Sequence, residues 1–249
     1  MTTKMRSMLA GLLLATGVLA GTSHAGVVIN GTRVVYPAQD KEVTVKLTND
    51  GTKPALVQVW LDDGDEKSTP DTAKVPFNIT PPLFRMEPGK GQAVRVMYSK
   101  EALPTDRESL FWVNVLEVPP KAADGADRNL LQFAFRTRIK LFFRPPGLAA
   151  DVSQAPTQLR WSARLAANSK GVEVVVDNPT PYHVSFSTVG IKSGEREFAA
   201  KTGGMVAPGA KASFVIEGLT AIPASGAQAS FSTISDYGAV KQLTAPLSP

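Results

Sequence analysis

Leu130-Leu131-Gln132-Phe133-Ala134-Phe135-Arg136-Thr137-Arg138-Ile139-Lys140-Leu141-Phe142-Phe143 is the longest strand candidate in the sequence. Its odd positions carry Leu131, Phe133, Phe135, Thr137, Ile139, Leu141 and Phe143, and its even positions include Gln132, Arg136, Arg138 and Lys140. That period of two is the signature of a strand with unlike faces. At about 3.3 Å per residue such a strand extends more than roughly 40 Å, about twice an ordinary one. The pattern alone leaves two readings open. The odd face fills the core of its own sheet, or the strand lies at an edge, where so long an apolar face needs cover and can obtain it by pairing with another chain.

The sequence on either side is of the same kind. Val43 to Leu47, Val57 to Leu61, Val94 to Tyr98, Val172 to Val176 and Val184 to Ser187 all read as strands. Turn formers bound them, among them Asn49-Asp50-Gly51, Glu87-Pro88-Gly89 and Asn178-Pro179. No segment after residue 25 sustains a 3.6-residue apolar stripe. Short strands separated by Gly/Pro turns predict an all-β fold of sandwiches. An internal echo predicts two of them. Val43–Leu47 followed by Asn49 and the later Pro88-Gly89 turn are matched by Val172–Val176, Asn178 and Pro208-Gly209, in the same order. The join is expected near Arg144-Pro145-Pro146-Gly147, where paired prolines forbid a continuing ladder. The expected division is 1–25 as a leader, 26–145 as a first immunoglobulin-like domain and 146–249 as a second.

The leader reading rests on Lys4 and Arg6, the apolar run Met8–Ala20 and the small-x-small site Ser23-His24-Ala25. It predicts export, with Gly26 as the first mature residue. The 249-residue chain would then keep 224 residues and, losing Lys4 and Arg6, go from a formal charge of +5 to +3. No later apolar run is long enough to span a bilayer, and no block of like charges suggests a nucleic-acid arm. There is no cysteine, which excludes disulfide scaffolds, thiol catalysis and thiolate metal sites. His183 is the one histidine outside the leader; beside Tyr182 it reads as a half-exposed strand residue. The acidic run Asp62-Asp63-Gly64-Asp65-Glu66 lacks the spacing of a calcium loop and reads as a solvated turn. No catalytic residue, metal or cofactor is expected.

Leu103-Pro104-Thr105-Asp106-Arg107-Glu108-Ser109-Leu110-Phe111-Trp112-Val113-Asn114, closing on Val118-Pro119-Pro120, resembles the signature of the periplasmic pilus chaperones of the chaperone–usher pathway. Ile139 to Pro145, Asn178-Pro179-Thr180-Pro181-Tyr182 and Ser235-Asp236-Tyr237-Gly238 are similar to further motifs of that family, in family order. The resemblance implies two immunoglobulin-like β-sandwiches set at an angle around a cleft, in a periplasmic protein without enzymatic activity. It implies that Arg33 and Lys140 anchor the C-terminal carboxylate of a pilus subunit, and that Leu131, Phe133 and Phe135 are donor-strand residues that fill the subunit's groove. Glu108, Arg144 and Asp236 are implied as an interdomain charged cluster that sets the domain angle. The short segment Lys121–Asn129 resembles the class of these chaperones associated with rod-like pili. The implied partners are pilus subunits and an outer-membrane usher, with neither nucleic acid nor membrane insertion; a self-capping dimer would cover the apolar strand between clients.

One geometric difficulty accompanies those assignments. Lys140 has the opposite parity to Leu131, Phe133 and Phe135, so a twist or a bulge is expected to turn it toward the cleft. Two other function classes remain: a fibre component, and an exported glycoside hydrolase using paired carboxylates. Two echoing, complete halves argue against the first. No acidic pair stands out for the second.

Overall fold

The structure, a computed structural model, describes residues 26–120, 132–166, 171–223 and 226–248. The expected leader, the segment 121–129 and Leu131 lie outside the described residues.

The first half contains β1 (Val27–Ile29), β2 (Arg33–Pro37), β3 (Val43–Asn49), β4 (Ala55–Asp62), β5 (Phe77–Thr80), β6 (Leu83–Met86), β7 (Gly91–Tyr98), β8 (Ser109–Val118) and β9 (Phe135–Arg144). They form two sheets, of order β1-β3-β7-β5 and β2-β9-β8-β4-β6. The alternation read from sequence decides which side chains lie between them. Val45, Leu47, Val94 and Val96 from one sheet meet Val57, Val59, Leu61, Val113, Val115, Ile139, Leu141 and Phe143 from the other, all buried. The second half contains β10 (Arg160–Leu165), β11 (Val172–Asp177), β12 (Val184–Ser193), β13 (Arg196–Ala199), β14 (Gly204–Val206), β15 (Lys211–Ile216), β16 (Gln228–Ile234) and β17 (Val240–Ser248). Its core is centred on Trp161, stacked at 4.5 Å on Phe231 and edge-on to Phe186 at 5.6 Å. The molecule is thus two immunoglobulin-like sandwiches meeting at a cleft.

The echo in the sequence is a repeated hydrogen-bond device. The buried Asn49 donates its amide to the carbonyls of Met86 (3.1 Å) and Lys53 (2.9 Å), and its N–H to Lys90 O. Asn178, also buried, donates to the carbonyls of Ala207 (3.0 Å) and Tyr182 (2.7 Å), and its N–H to Ala210 O. Both acceptor segments turn at a Pro-Gly whose glycine has positive φ, Gly89 at 67° and Gly209 at 65°. Proline presets the turn, and only glycine adopts that φ without strain. Satisfying buried carbonyls is obligatory, so the same solution recurs in both domains.

β9 is shorter than its alternation suggests. Regular pairing starts at Phe135, Gln132–Ala134 precede the strand, and its 10 residues span about 33 Å. It stops at Arg144 because Pro145 and Pro146 carry no N–H for a ladder. Its inner half resolves the two readings locally: Ile139, Leu141 and Phe143 fill their own core, while Phe135 is 64% exposed and Phe133 59%.

Candidate functional site: a cationic cleft and a bare strand edge

β9 pairs with β8 from Glu117↔Phe135 to Ser109↔Phe143 without a register shift. On its other side β2 pairs with it in parallel only from Arg33↔Lys140 to Pro37↔Arg144. Among the described residues nothing pairs with Phe135–Ile139 on that side, so this stretch presents a bare backbone edge. The rings of Phe133 and Phe135 lie 6.4 Å apart at its start.

The continuous register corrects one expectation. No bulge turns Lys140, which lies on the sheet face opposite Phe135. That face, rather than the phenylalanine face, looks toward the second domain. Lys140 Nζ is 3.4 Å from Ser185 Oγ of β12 and 5.7 Å from the Trp112 ring centroid. Its β2 neighbour Arg33 donates from Nη1 to the Ile234 carbonyl of β16 at 2.9 Å, while its buried Nε has no partner. Burial, then the Arg33 charge, lowers the pKa of Lys140. Burial also lowers that of Arg33, with Asp236 acting in the opposite sense. Two half-buried cations side by side disfavour one another, and an incoming anion relieves both costs. Asp236 relieves part of the cost at Arg33, but its carboxylate is bound by Arg144.

Arg144 joins the domains. Its Nε donates to Glu108 Oε1 at 2.7 Å, and its Nη1 and Nη2 donate to Asp236 Oδ2 and Oδ1 at 2.7 and 3.0 Å. The three residues anticipated as a cluster are therefore in contact across the junction. Although burial opposes it, hydrogen bonds and charges from Asp236 and Glu108 raise the Arg144 pKa above its already high ordinary value. Glu108 is further held by the His183 N–H at 2.8 Å, and its own N–H donates to Pro181 O.

Two residues differ from their reading in sequence. His183 is not a half-exposed strand residue. It precedes β12, its side chain is 6% exposed, and its Nδ1 lies 3.3 Å from Glu108 and its ring 5.5 Å from Phe142. Burial of Phe142 against it, on the outer face of β9, is what makes the junction a packed surface. Asp62 is not solvated, being 1% exposed, although Asp63 to Glu66 are exposed as expected. Ser185 and the Ile234 carbonyl were invisible as site components, since a serine in a strand and a main-chain oxygen carry no signal of their own.

A two-domain β protein with a strand edge that has no partner among the described residues, beside two cations that have no salt bridge among them, is suited to taking hold of another polypeptide. Comparisons with known proteins agree. Residues 26–149 match the family model described as pili and flagellar-assembly chaperone, PapD N-terminal domain, and residues 154–245 match pili assembly chaperone PapD, C-terminal domain. The chain belongs to the pilus-assembly chaperone family. It is 44% identical over 223 residues to the probable fimbrial chaperone YadV of Escherichia coli strain K12, covering 88% of this chain and 89% of that one. The YadV crystal structure superposes with a TM-score of 0.76 at 41% identity, over 90% of this chain and 100% of that one. The chaperone protein FimB/FhaD of Bordetella pertussis is 45% identical over 195 residues, 76% of this chain and 77% of its own. The SafB chaperone, solved in complex with the Salmonella enterica SafA pilin, is 27% identical with a TM-score of 0.71, over 91% of this chain and 99% of that one.

Proposed function

We propose that this protein binds pilus subunits in the periplasm by pairing its bare β9 edge with an incomplete subunit fold, and delivers them to an outer-membrane usher. The observation that carries this reading is the way β2 takes over the edge of β9 at Lys140. A guest strand paired with Phe135–Ile139 runs out of edge there, so its terminus meets Arg33 and Lys140. A terminal carboxylate takes charge-assisted hydrogen bonds from both, the guanidinium in bidentate fashion and the ammonium as a point charge. Main-chain bonds supply affinity. Phe133 and Phe135, with Leu131 ahead of them, supply register by filling the guest's groove. The likeness to SafB, a chaperone seen with a pilin, supports this assignment.

Glu108, Arg144 and Asp236 serve as the interdomain brace of a chain divided into a leader (1–25), a strand-donating domain (26–145) and a second domain (146–249). They orient more than they stabilise, since desolvating charges costs much of what pairing returns. The protein catalyses no reaction and needs no cofactor. Between clients, two copies cover each other's Phe133 and Phe135 as a self-capping dimer.

The experiment is purification of the full-length tagged protein from periplasm, expressed with its organism's fimbrial subunits, beside Lys140→Ala. A stoichiometric subunit that is lost in the variant is expected. Equal recovery with both proteins would remove the carboxylate anchor, and no subunit with either would remove the chaperone reading.

A further inference from the structure

The bare segment of β9 is gripped from behind. Its two arginines project from the face opposite Phe135, each guanidinium 4.7 Å from a tryptophan ring centroid, Arg136 over Trp60 and Arg138 over Trp112. Arg136 donates from Nε and Nη2 to Asn114 Oδ1 at 2.9 and 2.7 Å, and from Nη1 to the Glu66 carbonyl at 2.7 Å. Arg138 Nη2 donates to Asp62 Oδ1 at 2.6 Å. Asn114 and Asp62 are themselves joined, Nδ2 donating to Oδ2 at 2.7 Å. Ser68 Oγ donates to Asp62 at 3.2 Å, and accepts from Trp60 Nε1 at 3.2 Å and from Arg136 Nη2 at 3.3 Å.

This network lies on the outer face of the sheet, where a carboxylate would ordinarily stay in water. Instead Asp62 and Asn114 are buried under the turn 63–68, and they aim at the segment whose other edge is bare. Burial alone would raise the pKa of Asp62. Hydrogen bonds from Asn114, the Gly64 N–H and Arg138 outweigh it and hold the carboxyl below the usual range. A strand hydrogen-bonded along one edge only is prone to local opening, and residues left to be ordered at the moment of binding weaken binding.

We propose that Asp62, Asn114 and the turn 63–68 form a clamp that holds β9 extended before any guest arrives, so that a subunit strand meets a prebuilt edge. The proposal rests on the reading that this edge is the one donated. Asp62 and Asn114 are positioning residues: they touch no guest and act through Arg136 and Arg138. The acidic run that looked like a solvated turn acquires a role, its first residue as the buried end of the clamp and its last as the carbonyl that receives Arg136.

The test is hydrogen exchange of the full mature protein without client, for wild type, Asp62→Asn and Ser68→Ala. It is paired with the affinity of each for a synthetic peptide that copies the C-terminal strand of a fimbrial subunit and ends in a free carboxylate. Loss of a charge-assisted buried hydrogen bond predicts, for Asp62→Asn, exchange about tenfold faster in 132–140 and peptide binding weaker by about the same factor, with the second domain unchanged. Ser68→Ala, which removes three hydrogen bonds of 3.2–3.3 Å but leaves the shorter Arg138–Asp62 and Arg136–Asn114 bonds in place, is expected to loosen the same segment less, and it serves if Asp62→Asn fails to fold. Unchanged exchange in 132–140 overturns the clamp. Faster exchange with wild-type affinity overturns its role in binding. If the wild-type protein binds no subunit peptide, the donor-strand reading falls by itself, and the exchange data alone then uphold or overturn the clamp.

Discussion

β9 and β17 hold the same place in their two sandwiches. Each pairs antiparallel with the preceding long strand, β8 or β16, and each is met in parallel by an early strand only at its C-terminal end, β2 at Lys140–Arg144 and β10 at Leu247–Ser248. Among the described residues, both therefore leave a stretch of edge without a partner. What differs is the chemistry along it. β17 carries Lys241, Gln242, Thr244 and Pro246 between inward-leaning Leu243, Ala245 and Leu247. A charge and a proline make a poor template for another strand. β9 has no proline on its bare stretch. Its charges, Arg136 and Arg138, are drawn onto the back of the sheet by Asn114 and Asp62, and Phe133 and Phe135 stand in the open. One topology thus gives a silent edge or a receptive one, according to where its charges are sent.

The largest expected effect comes from making β9 resemble β17. Phe133→Lys with Phe135→Lys should weaken subunit binding at least about a hundredfold, roughly 2.8 kcal/mol, and abolish any concentration-dependent dimer in sedimentation. Thermal stability should stay within a degree or two of wild type, because both rings are exposed. A large loss of stability would mean that these rings serve the fold and not a guest.

The converse change is smaller. Lys241→Phe with Pro246→Thr removes the guards from β17, and the expected outcome is weak new self-association in analytical ultracentrifugation while subunit binding persists. If β17 stays silent, the guards are not what separates the two edges.

Acid gives the finest distinction. The folded pKa of Asp62 lies below its unfolded value of about 3.9, so its contribution to stability is fully present above that value and is lost as pH falls through the folded pKa. In the second domain the comparable outer-face Asp177 is partly exposed and sits 3.9 Å from Lys211, a weak pair. Acidification below about pH 4 should therefore loosen the first domain before the second, as read by exchange in 132–140. Asp62→Asn should remove that difference.

The alternation of Val43–Leu47, Val57–Leu61, Val94–Tyr98 and Val172–Val176 made the strands legible, because side-chain direction in a strand is set by parity and nothing else. The repeated Asn and Pro-Gly positions made the two domains legible, because each marks a backbone conformation or a buried carbonyl with few solutions. Glu108, Arg144 and Asp236, and the cleft pair Arg33 and Lys140, were reached through resemblance to a family. Their spacings of 36 and 92 residues from Arg144, and the opposite parity of Lys140, gave no local reason to join them.

Sequence by itself thus determined the β class and the count of two sandwiches, while the strand and the cations singled out for a guest came through resemblance to a family. Only the tertiary structure decided that β2 closes the edge of β9 at Lys140, that Asp62 lies under a turn 76 residues from Arg138, and that the His183 side chain is buried at the junction. The physical reason is the range of the forces involved. Periodicity and turn chemistry act within a few residues and are written along the chain. Partners across a sheet or a cleft are fixed by the packing of strands that the chain brings together from far apart.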